Sequence, residues 1–174
     1  YLDRTVIAVA LIGLGEVGGM IADDLGARAA LSGYDTKFSD NTSAPSLSAR
    51  RAGVRAGADH SDAVHGADII ISAVTAAQTV AAAKAVARGI ARDAWYLDLN
   101  SASPGAKREA AAAINEAGAR YVEAAVMSPF PQKRCASPVL LGGPHAEMFA
   151  PIARELGFGS VNVFSATYGK ASAA

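Results

Sequence analysis

Gly13-Leu14-Gly15-Glu16-Val17-Gly18 is the stretch that decides the fold. In front of it runs an apolar segment, Thr5 to Ile12, whose unbroken hydrophobic character suits a strand buried on both faces. Behind it, Val17, Met20, Ile21 and Leu25 recur at helical spacing and predict a helix over 16–25. A second strand, predicted over 29–34, ends at the acidic residue Asp35. A bare G-x-G-x-x-G arises by chance in a glycine-rich chain. Here a strand, a helix, a second strand and an acid about 20 residues on are met together. Each glycine has a separate task. Gly13 permits the tight turn, Gly15 leaves the main chain bare for close approach, and Gly18 lets the helix sit near the strand. The first-turn N–H groups of the helix have no intrahelical partners and form a cradle for an anion. The six residues Gly13 to Gly18 therefore predict a pocket for the pyrophosphate of NAD or NADP, with Glu16 turned outward because a carboxylate repels phosphate. The competing reading is a purely structural turn in another α/β protein.

The rest of the chain repeats the alternation. Strands are predicted over 68–74, 95–99, 121–125, 139–141 and 161–164, with a weak one near Val54. Helices are predicted over 47–52, 76–87, 104–117 and 145–156. The third of these opens on Ser103-Pro104, a favoured cap and first-turn pair, and stops at Gly118. The stretch 36–46 reads as a polar, turn-rich, mobile loop and 127–138 as a loop rich in proline and bases. Such alternation predicts an α/β, Rossmann-type doubly wound sheet, mostly parallel, with helices on both faces. The expected strand order is 3-2-1-4-5-6, with extra strands at the far edge. Ligands bind at the carboxyl ends of such strands. That adds Ala73, Val74 and Thr75 after the fourth strand and Asn100 after the fifth to the expected cofactor contacts, with Gln78 close by. Thr75 reads equally well as a helix cap.

Asp35 bears on the choice of dinucleotide. A carboxylate there accepts from both ribose hydroxyls of the adenosine and repels a 2′-phosphate, which favours NAD, although Lys37 offsets part of that repulsion. Its bland alternative is an aspartate that initiates a turn.

Composition closes off other classes. The 174 residues are 51% hydrophobic with formal net charge zero, enough for a real core and without the basic excess of a nucleic-acid binder. No apolar run is long enough to cross a bilayer, and the segment after Ile12 does not suit a signal peptide, so a cytoplasmic protein is expected. The single cysteine, Cys135, builds neither a disulfide nor a zinc site and has no neighbouring histidine to make it a nucleophile. His60, His65 and His145 are scattered without carboxylates at ligand spacing, so no metal site is expected. Trp95 and Tyr96 read as core residues.

Three blocks make the sequence resemble the β-hydroxyacid dehydrogenases, the family of 3-hydroxyisobutyrate and 6-phosphogluconate dehydrogenases. They are Ile12 to Gly19, then Asp98-Leu99-Asn100-Ser101-Ala102-Ser103-Pro104, similar to D-x-S-T-x-x-P, and Glu123-Ala124-Ala125-Val126-Met127-Ser128-Pro129, similar to D-A-P-V-S-G-G. The resemblance implies hydride transfer between a nicotinamide cofactor and a small β-hydroxyacid-like substrate. It places Asn100 near the nicotinamide ribose and Ser101, Met127 and Ser128 at the substrate, while Ser103 is left to cap the helix. The third block departs from the pattern. Pro129 has no N–H to give a substrate carboxylate, so that bond is missing or taken over by Lys133 or Arg134, two bases that otherwise read as a solvated loop. Gly169-Lys170 looks like the start of the family's G-x-x-x-x-x-K block. In that register the catalytic lysine follows Ala174, and Lys170 itself is out of place. The expected division is a dinucleotide-binding domain over 1–166 and the start of an interdomain helix over 167–174. An all-helical second domain, apparently absent, would bring homodimers or larger assemblies. Two rival readings remain open, an imine reductase without the lysine and a non-catalytic NAD(P) sensor.

Overall fold

The computed structural model describes residues 6–174. Its spine is one eight-stranded sheet: β1 (Ile7–Ile12), β2 (Ala29–Tyr34), β3 (Arg55–Ala56), β4 (Ile69–Ser72), β5 (Trp95–Asp98), β6 (Arg120–Val126), β7 (Pro138–Gly142) and β8 (Ser160–Ser165). The spatial order is β3-β2-β1-β4-β5-β6-β7-β8, the doubly wound arrangement expected from the alternation, with β7 and β8 added at the far edge. Every neighbouring pair is parallel except β6 and β7. The expected start of the first strand at Thr5 lies outside the described residues.

Helices α1 (Glu16–Leu25), α2 (Ala44–Ala52), α3 (His60–Val64), α4 (Thr79–Ala87), α5 (Pro104–Glu116), α6 (Phe130–Lys133), α7 (Ala146–Leu156) and α8 (Lys170–Ala173) complete the chain. The core has two layers because strand residues alternate between faces. Val9, Leu11, Ile69, Ile71 and Leu97 meet Ile21 and Leu25 of α1 and Phe149 and Leu156 of α7. Ala10, Ile12, Ile70, Tyr96 and Tyr121 meet α3, α4 and α5 through Ala63, Val64, Ala83, Val86, Ala110 and Ile114. Trp95 is buried and stacks on Phe149, as a core residue should.

Several element boundaries differ from expectation. The stretch 36–46 is not a featureless loop. Asp35 accepts the Lys37 N–H and caps a 3₁₀ turn over Thr36–Ser39. Ser43 caps α2, which starts at Ala44 rather than Leu47, with Pro45 in its first turn. α3 was not expected; Asp59 caps it by accepting from Asp62 N–H. The segment 127–138 carries α6 and a further 3₁₀ turn over Arg134–Ala136, which buries Cys135. The 76–87 helix opens as a 3₁₀ turn over Ala76–Gln78 before α4 begins.

Candidate dinucleotide-binding site

Strands β1, β2, β4 and β5 all end on one side of the sheet, and a cleft of about 920 Å³ runs across their carboxyl ends. Its middle is the turn between β1 and α1. Gly13 has φ of +90°, and a Cβ there would lie 2.2 Å from the Ala73 carbonyl oxygen. The turn is also fixed by the Gly13 N–H, which donates to the Tyr34 carbonyl at 3.0 Å. Gly18 sits behind it, where a Cβ would be 2.0 Å from the Gly13 oxygen, so this glycine serves packing and not contact. Gly15 is the reverse: a Cβ there would touch nothing within 4 Å, because its α-carbon faces the open cleft. Gly19 donates to the Gly15 carbonyl, and no side chain caps α1. The preceding first-turn amides are thus left for a ligand. A bare backbone beside uncapped amides fits a diphosphate. Glu16 is exposed at the rim, as its charge required.

Leu14 needs correction. Its side chain is fully buried in the core and its N–H donates to Asp35 Oδ2 at 2.9 Å, so it offers a ligand neither side chain nor amide. The bond has another use. Together with the Lys37 N–H on Oδ1, it pins the Asp35 carboxylate at the edge of the cleft. The turn-forming and ribose-facing readings of Asp35 are therefore compatible in one geometry.

At the other end, Ala73, Val74 and Thr75 follow β4, and Leu99, Asn100 and Ser101 follow β5; all line the cleft. Asn100 is a brace. Its Oδ1 accepts the Val74 N–H at 2.6 Å, its Nδ2 donates to Ser72 Oγ at 3.0 Å, and its own N–H donates to Asp98 Oδ1 at 2.9 Å. The side chain stitches the ends of β4 and β5 together at this end of the cleft. Ser101 is exposed, and Ser103 caps α5 by accepting the Ala106 N–H, as expected for Ser103. Thr75 makes no capping bond to the backbone; its hydroxyl donates to Gln78 Oε1 at 3.2 Å.

Met127 and Ser128 follow β6, one strand further along, and do not form the cleft wall. Met127 is exposed. Arg134 is not a substitute anchor there. Its guanidinium turns toward α1, donating to the Met20 carbonyl at 3.1 Å and lying 3.0 Å from Asp24 Oδ1. Lys133 and Lys170 are exposed. Cys135 is buried, and its thiol is pushed up to about 12 by burial and then by Asp24, the opposite of an activated nucleophile. His65 and His145 do not line the cleft, and no group of metal-ligating side chains forms among the described residues.

Two features escaped the sequence reading. His60 lines the cleft. Behind Asn100 lies a buried polar cluster. Lys107 Nζ donates to the Asp98 carbonyl (2.9 Å), Asp98 Oδ1 (3.0 Å) and the Ala124 carbonyl (3.2 Å). Tyr121 donates to Asp98 Oδ2 at 2.5 Å. Burial holds the Lys107 amine below its ordinary range, against the pull of Asp98. Glu123, fully buried on β6, accepts from the Gly169 N–H (2.9 Å), the Ser172 N–H (3.1 Å) and the Ser172 hydroxyl, and so fastens α8 to the sheet.

Residues 8–156 match the family model of the NAD-binding domain of 6-phosphogluconate dehydrogenase. The chain belongs to that family. A conserved hypothetical protein from Sinorhizobium meliloti shares 34% identity and a TM-score of 0.87, over 99% of this chain and 58% of its own. A conserved protein of unknown function, described as structurally similar to 3-hydroxyacid dehydrogenases, shares 27% identity and a TM-score of 0.81, over 96% of this chain and 61% of its own. Mycobacterium tuberculosis 3-hydroxyisobutyrate dehydrogenase has the same fold, with a TM-score of 0.82 at 20% identity over 97% of this chain and 57% of its own. Imine reductases share it too, one from Myxococcus stipitatus solved with NADP+ at 22% identity, over 95% of this chain and 57% of its own, with a TM-score of 0.78. The chain thus spans about three-fifths of the length of its structural relatives. No curated protein matches it. The chain is an NAD-binding domain of an oxidoreductase family, and no helix among the described residues is long and apolar enough to cross a membrane.

Proposed function

We propose that this chain is the cofactor half of an oxidoreductase that passes a hydride between NAD(H) and a small β-hydroxyacid-like substrate, working in the cytoplasm. One observation carries the reading. A single cleft presents bare Gly15 and the uncapped α1 amides at its centre, a pinned carboxylate, Asp35, at one end, and braced Asn100 with exposed Ser101 at the other. That order matches phosphates, adenosine ribose and nicotinamide along one extended ligand. When bound, the nicotinamide supplies the redox step; the chain's part is orientation and electrostatics. Asn100 holds the β4 and β5 ends at a fixed distance, and Ser101 donates to the substrate, with Met127 and Ser128 on its far side. In the family register the proton-transferring lysine follows Ala174. Residues 1–166 then form the nucleotide domain and 167–174 begin the link to a helical domain that builds dimers or larger assemblies.

The test is calorimetric titration with NADH and NADPH. NADH is expected to bind about tenfold or more tightly, a difference of about 1.4 kcal/mol, because a 2′-phosphate meets the Asp35 carboxylate. Asp35→Ser should narrow the gap. Absence of binding, or a clear NADPH preference, overturns the assignment. An imine reductase is the second reading, favoured by Pro129, which has no N–H for a substrate carboxylate. Turnover of cyclic imines and not hydroxyacids by the longer protein would establish it.

A further inference from the structure

The end of the cleft beside Asp35 carries an aromatic pair that the glycine motif does not require. Tyr34 closes β2 and His60 opens α3; their ring centroids are 4.6 Å apart with planes at 55°. Both rings are half-buried and both line the cleft. The local backbone sets them there. The Gly57 N–H donates to the Gly33 carbonyl, which brings the chain leaving β3 beside β2, and the Asp59 cap starts α3 at His60. The same cleft is lined by Ala77 of the 3₁₀ turn over Ala76–Gln78 and by Ala81 and Ala82 of α4. A lining of aromatic rings and alanine methyls suits a flat, apolar ring. Neither imidazole nitrogen has a hydrogen-bond partner among the described residues. Burial keeps the imidazole below its ordinary pKa, against the raising effect of Asp59. An imidazole biased toward its uncharged form suits an apolar stacking surface.

The sequence of subsites along the cleft says what belongs in this gap. Diphosphate at the α1 amides and ribose at Asp35 leave the base of that ribose against Tyr34 and His60. We propose that His60, backed by Tyr34, recognises the purine of the dinucleotide by laying the face of its ring against the base. This rests on the dinucleotide reading above and adds to it the residue that selects the base.

The experiment measures affinity of the chain for NADH, AMP and nicotinamide mononucleotide by titration calorimetry, for the wild type, His60→Ala and His60→Phe, with thermal unfolding as a check on folding. Stacking on a base is worth about 5- to 150-fold in affinity by alanine substitution. His60→Ala should lose that factor for NADH and for AMP alike and leave nicotinamide mononucleotide unchanged. His60→Phe should recover the greater part of the AMP affinity. A loss under twofold for AMP, or equal losses for AMP and nicotinamide mononucleotide, overturns the role of His60 while NADH binding by the wild type stands. If the wild type binds neither NADH nor AMP, the dinucleotide reading falls and this inference with it.

Discussion

Three glycines of one turn separate folding from binding. Gly13 lies at φ +90° with the Ala73 carbonyl in the space of its missing Cβ, so Gly13→Ala strains the backbone and drives a methyl into an oxygen. Gly18, whose φ is not positive, lacks that strain, but Gly18→Ala would drive a methyl into the Gly13 carbonyl. Either change should lower stability by about 1–3 kcal/mol or more, read from urea unfolding. At Gly15 an added Cβ meets no protein atom within 4 Å, so Gly15→Val should leave stability within the usual surface range, about 0.5 kcal/mol. Its side chain would occupy the space a diphosphate needs, so NADH binding should disappear. A Gly15→Val protein that keeps NADH affinity would move the phosphates elsewhere. The glycine tasks were legible because each residue's chemistry is local. Leu14 was not, since only the fold shows that its amide is spent on Asp35. His60 escaped for the same reason: nothing in its sequence neighbours reveals Tyr34 across the cleft.

Among elements, α5 holds the ends of β5 and β6 by an unusual device. Its buried stripe is Lys107, Ala110, Ala111 and Ile114, a helical repeat in which the first member is a lysine. That stripe is visible in the sequence, and the misfit of Lys107 on an apolar face was the available signal for a buried charge. What the sequence could not supply was the partner, because Asp98 and the Ala124 carbonyl come from two strands that meet only in the sheet. A lysine with every proton engaged and a carboxylate engaged by Lys107, Tyr121 and Asn100 form a closed polar unit. Removing one charge strands the other. Lys107→Met should cost about 3–5 kcal/mol in urea unfolding, since Asp98 is left buried and unpaired. Adding Asp98→Asn should recover part of that loss, a coupling that independent sites would not show. If the two losses simply add, the pair is not a unit. Capping elements were legible by the same logic and missed at two places. Ser43-Ala44-Pro45 and Asp59 both carry start signals, but the polar stretches around them lack the apolar periodicity that draws attention to a helix.

At the scale of the whole molecule, the order of the first six strands was legible because parallel strands joined by helices leave few topologies. The antiparallel β7 was not, because its turn depends on how 127–138 folds over α1 through Arg134. The two-layer core that results encloses groups whose ionisation the fold opposes. Burial raises the Cys135 thiol from 9.0 to about 12. Tyr96 and Tyr121 are both raised above their usual 10.0, first by burial and then by the charge of Asp98. Each folded-state value lies above the unfolded one, so the stability these groups contribute is complete below about pH 9 and is lost as pH rises through the folded-state range. Each contributes a slope of up to about 1.4 kcal/mol per pH unit once the unfolded chain begins to release its proton. The midpoint of thermal unfolding should therefore hold steady from pH 7 to about 9 and fall steeply above 10. Disulfide-exchange reagents should reach Cys135, and part of the tyrosinate absorbance should appear, only together with the loss of helical circular dichroism. Free titration of all tyrosines in a chain still folded at pH 11 would show that the sheet does not bury Tyr96 and Tyr121 against Asp98.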